Sequence, residues 1–492
     1  MTTPNDPQHL NQELADVLGQ PVLEPQHHTD LGNAFRLVAL HGNDFRNCVG
    51  RLFFWMGTRW VPEVPGEMHR FAKDVILSLY NDAALLQGEA ATSPDLTPEE
   101  RIQLSKRAES TAKWARTSEA QARINAMIGL AKEEAQVQID AKAWDLDQWL
   151  LNTPSGTLDL RTNTLRPHDR ADFITMITTA PHDPQAGYLP WDDFLNRIMP
   201  DESLRFYLQR ALGYSITGMT TEEKLFMPWG PPATGKSTLL RAVGTCLGDY
   251  AVVVGGETFG EQKSDGNAPR NDVARLVGKR FVLAMELPGN QKLATGLLQR
   301  MTGGDVMVTR FNYQEFFEFV PTGKIWLTSN SRPIIPDNEP GMWRRVSQIP
   351  FQVVIPEQER DPDLKLVLLD PAFGGPAVLR WLVEGCGLWR QLGLGAPLAV
   401  IEASAAYRQH MDRLAEFIED VCFVDEDATC TNPAIYAAYQ QWCQANGERA
   451  ISHKGFTQRL EAKGYTRRDG HSARVWRGIG LQAEGYRQAG LS

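Results

Sequence analysis

Residues 226–240 read FMPWGPPATGKSTLL, and this stretch decides the fold of the central part of the chain. Gly230, four residues, then Gly235-Lys236-Ser237 is the spacing of a phosphate-binding loop. The apolar run from Leu225 to Met227 reads as a strand leading into it, and the residues after it read as a helix. Glycines let the backbone wrap close around phosphates, and the helix adds its positive end. The candidate nucleotide contacts are therefore Gly230, Pro231, Pro232, Ala233, Thr234, Gly235, Lys236, Ser237 and Thr238. Lys236 is expected to reach the β- and γ-phosphates of ATP, and Ser237 to ligate Mg²⁺ through its hydroxyl. The loop specifies what is bound; kinases, GTPases and DNA motors all use it.

Three further stretches give the loop its context. GKRFVLAMELPG predicts a buried strand from Arg280 to Met285 that ends at Glu286. A carboxylate there can polarise an attacking water. Position 285, where an aspartate would hold the metal, is methionine, so Glu286 is assigned to the metal as well. GKIWLTSN predicts a third strand ending at Asn330, a candidate sensor of the γ-phosphate. EPGMWRRVSQIPF then carries Arg344 and Arg345. Such arginines after a sensor strand suit a finger reaching a neighbouring subunit, where they offset charge on the transferred phosphoryl group; a surface basic pair is the plainer reading. Taken together, the elements read as a ring-forming ATPase. Between Glu286 and Asn330, DVMVTRF and FFEFV alternate like two strands around NYQE. That hairpin would offer Arg310 and Tyr313 to single-stranded nucleic acid, or serve as a structural hairpin only.

This order of motifs resembles superfamily 3 helicases, specifically the phage and plasmid primase–helicase family related to the poxvirus primase–helicase. The carrying residues are GPPATGKST, ARLVGKRFVLAME, MTGGDVMVTR, FEFVPTGKIWLTSN and WRRVSQIPF, with flanking likeness over about residues 144 to 480. The resemblance implies an α/β fold with an AAA+-like P-loop core and a β-hairpin insertion. It implies a hexamer that translocates on single-stranded DNA and unwinds forks or origins. Lys236 and Ser237 match its nucleotide loop, Glu286 its catalytic acid, Asn330 its sensor, and Arg345, then Arg344, its arginines. One departure is Gln299, where a lysine commonly precedes the TGGD threonine.

Around this core (201–395) the chain reads as a mixed α/β unit (1–85), a linker and helical segment (86–143, the linker at 86–98), a pre-helicase α/β region (144–200), and a C-terminal segment (396–492). From Arg449 to Arg477 the last segment carries eight Lys and Arg against two acids, in a chain whose formal charge is −10. Helix, turn, helix and hairpin there read as a winged helix, with Lys454, Arg459, Arg467 and Arg468 as candidate DNA contacts; a solvated basic face is the alternative. Residues 1–143 show neither a zinc-ligand cysteine set nor paired aspartates with a spaced histidine, so primase chemistry is not expected. A collar, or a docking site for a separate primase or origin-binding protein, is. Six cysteines without C-x-x-C spacing argue against structural zinc and a disulfide framework. No run approaches the ~20 apolar residues of a membrane span, which points to a soluble protein, expected in the cytoplasm of a bacterial host. Two rival readings keep the same loop: an initiator or defence ATPase using the ring as a switch, and a small-molecule kinase that stays monomeric.

Overall fold

The computed structural model describes residues 27–187, 189–261, 270–287, 291–311, 315–329, 331–336, 339–447, 450–469 and 474–482. The chain divides into two compact units. One runs through Asp147 and adds 156–158 and 165–177; the other takes 148–155, 159–164 and everything from Thr178.

In the first unit, α1 (Asp30–His41) starts at Thr29, whose hydroxyl accepts from the Gly32 amide. The tryptophan-rich stretch forms an antiparallel meander of β1 (Phe45–Cys48), β2 (Arg51–Trp55) and β3 (Trp60–Pro62). Helices α2 (Glu67–Thr92), α3 (Pro98–Ser118) and α4 (Gln121–Lys132) follow. The linker expected at 86–98 is mostly helix. Gln87, Glu89, Ala90 and Ala91 are strong helix formers, and one glycine among them costs only about 1 kcal/mol. The true break is 93–97, after which Thr97 and Glu100 close a capping box that starts α3. Phe45, Phe54, Phe71, Val75 and Met127 make the core.

In the second unit, α5 (Leu189–Ile198) and α6 (Glu202–Ser215) precede a five-stranded parallel sheet. Its strands are β4 (Leu225–Trp229), β5 (Ala251–Gly255), β6 (Phe281–Met285), β9 (Lys324–Thr328) and β10 (Val346–Pro350), in the order β10-β4-β9-β6-β5. Helix α7 (Lys236–Leu247) follows β4, α8 (Thr295–Gly303) follows β6, and a hairpin of β7 (Met307–Thr309) and β8 (Phe317–Phe319) enters before β9. The four-residue α9 (Pro340–Trp343) leads into β10, and α10 (Pro362–Leu369) and α11 (Gly375–Leu392) come after it.

Alternation along the strands sorts the sheet's two faces. Leu225, Met227, Ile325 and Leu327 join α8, α9 and the hairpin residues Met307 and Phe319 in one core. On the opposite side Phe226 stacks on Trp326 at 4.6 Å, and the Trp326 indole donates to Ser215 Oγ of α6 at 3.0 Å. Helix α6 meets α11 backbone to backbone. A Cβ on Gly213 would stand 2.2 Å from Cys386 N, and one on Gly385 2.2 Å from Gln209 O. Then α12 (Leu398–Met411) and α13 (Arg413–Val421) break at Asp412, whose carboxylate caps α13 by accepting from Ala415 N. Strand β11 (Thr429–Thr431), α14 (Asn432–Ala445), α15 (His453–Ala462), β12 (Thr466–Asp469) and β13 (Arg474–Arg477) complete the tail.

Candidate functional site

The quoted stretch folds as strand, loop and helix. All five strands run parallel, so the loop after β4, Glu286 after β6 and Ser329 after β9 emerge at one edge of the sheet, from three strands that lie side by side. In open α/β sheets that is the edge where ligands bind. Gly230 (φ 155°) passes so close to the strand end that a Cβ would stand 1.9 Å from Phe351 O. Gly235 (φ 81°) turns the chain into α7, and a Cβ there would meet Ile198 of α5 at 2.5 Å. Each position therefore admits only glycine, for a different reason. Gly235 places no side chain over the first turn of α7, leaving its amides for an anion.

Lys236 is buried and curled onto its own loop. Its Nζ donates to Gly230 O (2.9 Å), Pro231 O (2.7 Å) and Thr234 Oγ1 (2.9 Å). Burial holds its pKa below the usual lysine range. The Thr234 hydroxyl donates to Pro231 O at 3.1 Å, bracing the loop from inside. Pro231, Pro232 and Ser237 are exposed, with Ala233 and Thr238 half-buried. Glu286 is exposed and takes a left-handed conformation (φ 63°), its amide donating to Thr328 O at 3.2 Å. The ends of β6 and β9 are further stitched by Ser329 Oγ donating to Leu287 O at 2.9 Å. Oxygen donors such as the Ser237 hydroxyl and the Glu286 carboxylate suit a hard cation like Mg²⁺. Asn330 and Tyr313 lie outside the described residues.

Arg344 and Arg345 part company. Arg345, the better match to the family's arginines, is 7% exposed. Its Nε donates to Thr302 Oγ1 (3.0 Å), one terminal nitrogen donates to Gly341 O (2.7 Å), and the other pairs with Glu223 (2.8 Å). Each end of the guanidinium is engaged inside the unit, so it is not disposed to reach a neighbour. Arg344 pairs with the same Glu223 oxygen at 2.7 Å, but its side chain is 63% exposed. Thr302 belongs to the TGGD segment, and its role as the partner of Arg345 had no signal in local spacing. Gln299 lies under Gly341, about where a Cβ on that glycine would sit 3.6 Å from its amide nitrogen.

Two other features escaped the motif reading. Beside the loop is a cavity of 580 Å³ walled by Pro190 and Phe194 of α5, Ala233, Gly235, Ile355 and Leu364. An Arg197–Glu359 ion pair joins two of its walls. Nothing in the sequence of α5 ties it to the loop farther along the chain. Arg332, just past the β9 end, lies over Trp229 (4.3 Å) and Tyr407 (5.5 Å) and donates to Gln348 Oε1 at 3.1 Å. It thereby joins the residue before Gly230 to α12.

The hairpin forms with Met307 opposite Phe319 and Thr309 opposite Phe317. Arg310 lies over the Phe316 ring at 4.5 Å. In the tail, β11, β13 and β12 make a three-stranded antiparallel sheet. Arg467 does not face solvent freely: it pairs with Glu461 and lies over buried Trp476 at 5.4 Å. Strand alternation puts Arg468 on the other face with Thr466 and Arg477, and all three are exposed. Lys454 is exposed on the first turn of α15, which Ser452 caps, and Arg459 is half-buried further along that helix.

These features define a mixed α/β chain with a parallel sheet and a glycine-rich loop at the strands' carboxyl-terminal edge. Residues 34–200 match the family model described as D5 N terminal like, 229–345 match a family of unknown function, and 409–468 match Poxvirus D5 protein-like. Putative helicase L207/L206 of Acanthamoeba polyphaga mimivirus is 26% identical over 65% of this chain and 36% of its own length. Putative helicase 022R of Frog virus 3 is 29% identical over 51% and 28%. Putative primase C962R of African swine fever virus (Warthog isolate) is 25% identical over 61% and 34%. The two D5 matches and these relatives support a relationship to the D5-like primase–helicase family. The chain spans about a third of the length of these curated relatives. All three are viral, and the expected bacterial host finds no support among them. Among solved structures, the apo C-terminal region of NrS-1 aligns over 92% of this chain and 99% of that one, at 10% identity and a TM-score of 0.49. No helix among the described residues is long and apolar enough to cross a membrane.

Proposed function

We propose that this chain is the ATP- and Mg²⁺-dependent motor of a DNA helicase that assembles as a hexameric ring on single-stranded DNA. The observation that carries the reading is the loop from Gly230 to Ser237, set at the same sheet edge as Glu286, with Lys236 held at its centre. In this reading the loop is a phosphate-binding P-loop, Lys236 exchanges its loop carbonyls for the β- and γ-phosphates, and the cavity against α5 takes base and ribose. Glu286 orients the attacking water, with Asn330 beside it. Arg344, being exposed, is the arginine offered to the next subunit; Arg345 holds the segment that presents it. Bound Mg²⁺, held by Ser237 and Glu286, would offset phosphate charge. The three-stranded sheet with α14 and α15 is read as a winged helix that lays Lys454, Arg468 and Arg477 against DNA phosphates. A separate primase or origin-binding protein is the proposed partner.

The test is ATP turnover with and without single-stranded DNA, read alongside native mass. DNA-stimulated turnover in hexamer-sized particles is expected, and Lys236→Ala should abolish turnover while leaving the mass unchanged. A ring whose turnover ignores DNA would favour the switch reading, and a monomer would remove the motor altogether.

A further inference from the structure

In the N-terminal unit, α1, α2 and α3 enclose a cavity of 510 Å³ that no step of the proposed motor uses. Its polar lining is His28, Arg36, Asp82, Arg107, Ser110 and Thr111, and leucines of α2 form its apolar wall. We propose that this cavity is a second phosphate-binding site, one that takes a nucleotide unit, either free or within a single strand.

Charge is the first argument. Two guanidiniums and an imidazole share the lining with one carboxylate, so the lining carries a net positive charge. Burial lowers the Arg36 pKa and the Asp82 charge acts against that, favouring the guanidinium's charged form. Arg107 has no carboxylate partner among the described residues. His28 reports the local field: burial lowers its pKa, and the charges that add to this are Arg36 and Arg107, both pushing the same way. An anion entering beside that imidazole meets attraction from both arginines.

Preorganisation is the second. The His28 ring is fixed by Ser110 Oγ at 3.2 Å from Nδ1 and Thr111 Oγ1 at 3.4 Å from Nε2, and it stacks on Trp114 with an interplanar angle of 11°. Thr111 already donates to Arg107 O (2.9 Å), so it accepts from Nε2–H. Nδ1 is left to accept from Ser110. Arg36 is oriented from behind, donating to His27 O (3.2 Å) and Asn33 Oδ1 (3.3 Å). Size is the third argument. The cavity falls within the range of roughly 300–1,000 Å³ typical of small-ligand sites. That is more than a bare phosphate fills, and the leucine wall suits a sugar or base edge.

The experiment uses the full chain with two probes: anisotropy of 5′-fluorescein-labelled (dT)10, and equilibrium dialysis of radiolabelled ADP. Arg107→Glu reverses an exposed charge, and Ser110→Asp places a carboxylate in the cavity; Lys113→Glu, on another face of α3, controls for net charge. Both cavity variants should keep DNA-free ATP turnover and the melting temperature. They should weaken (dT)10 binding at least fivefold relative to the control if the ligand is a strand. They should lower ADP stoichiometry by one per chain if it is a free nucleotide. Should both variants bind (dT)10 and ADP as Lys113→Glu does, the site is not there.

Discussion

Arg344 and Arg345 are adjacent, identical in chemistry and opposite in surroundings. Both reach Glu223, so the difference is made by Thr302, 43 residues away, and by the Gly341 carbonyl, which only Arg345 engages. The sequence displayed a basic pair but not its orientation, because burial of a side chain is decided by partners that no local pattern announces. Truncating them should therefore have unlike effects. Arg345→Ala leaves the Thr302 hydroxyl and the Gly341 carbonyl without their buried donor, and should cost about 1–3 kcal/mol in urea unfolding, as buried polar groups left unsatisfied do. Arg344→Ala should leave stability within about 0.5 kcal/mol while lowering the proposed ATP turnover at least tenfold. The reverse pattern in paired unfolding and turnover measurements would return the finger to Arg345. The glycines were more legible: spacing alone marked Gly230 and Gly235, and the structure supplies the contacts, Phe351 O and Ile198, that forbid a side chain.

At the scale of elements, strands and hairpins followed from alternation, and the β7–β8 pair stands where DVMVTRF and FFEFV placed it. The misread linker shows the limit. Small polar residues look like a loop until one asks whether they break a helix, and at 86–92 none does. The tail offers a sharper case. Arg467 and Arg468 were equivalent as candidates, but a strand sends neighbours to opposite faces. Arg468→Ala should weaken DNA binding and reduce the magnitude of its salt-dependence slope by about 1, the signature of one lost phosphate contact. Arg467→Ala should leave that slope alone and instead lower the melting temperature, since it uncovers Trp476. Anisotropy titrations over a salt series, paired with thermal melts, separate the two; equal slopes in both variants would remove Arg468 from the interface.

For the molecule as a whole, the sheet carries two buried basic side chains at the edge opposite the loop. Lys324 donates to Met219 O (3.2 Å), Thr322 O (2.8 Å) and Thr217 O, and Arg280 donates to Ile216 O (3.0 Å) and Leu150 O (2.8 Å). Burial, with Arg280 nearby, holds the Lys324 pKa well below the usual range. The folded state thus binds fewer protons than the unfolded chain between that depressed value and about 10.4. Stability should rise with pH across this window. Lys324→Met should flatten the rise in urea midpoint between pH 7 and 9.5. An unchanged slope would show that the carbonyl cage keeps the ammonium charged.

The backbone seam between Gly213 and Gly385 reaches further than packing. It fastens the helix that comes before the sheet to one that comes after it, so neither can be left behind when the sheet is passed on. Among genomes that trade segments of replication genes, a crossover falling between residue 213 and the sheet, or between the sheet and residue 385, would join half of a seam to a stranger's half. An exchange that keeps the seam intact therefore carries α6, the sheet and α11 together.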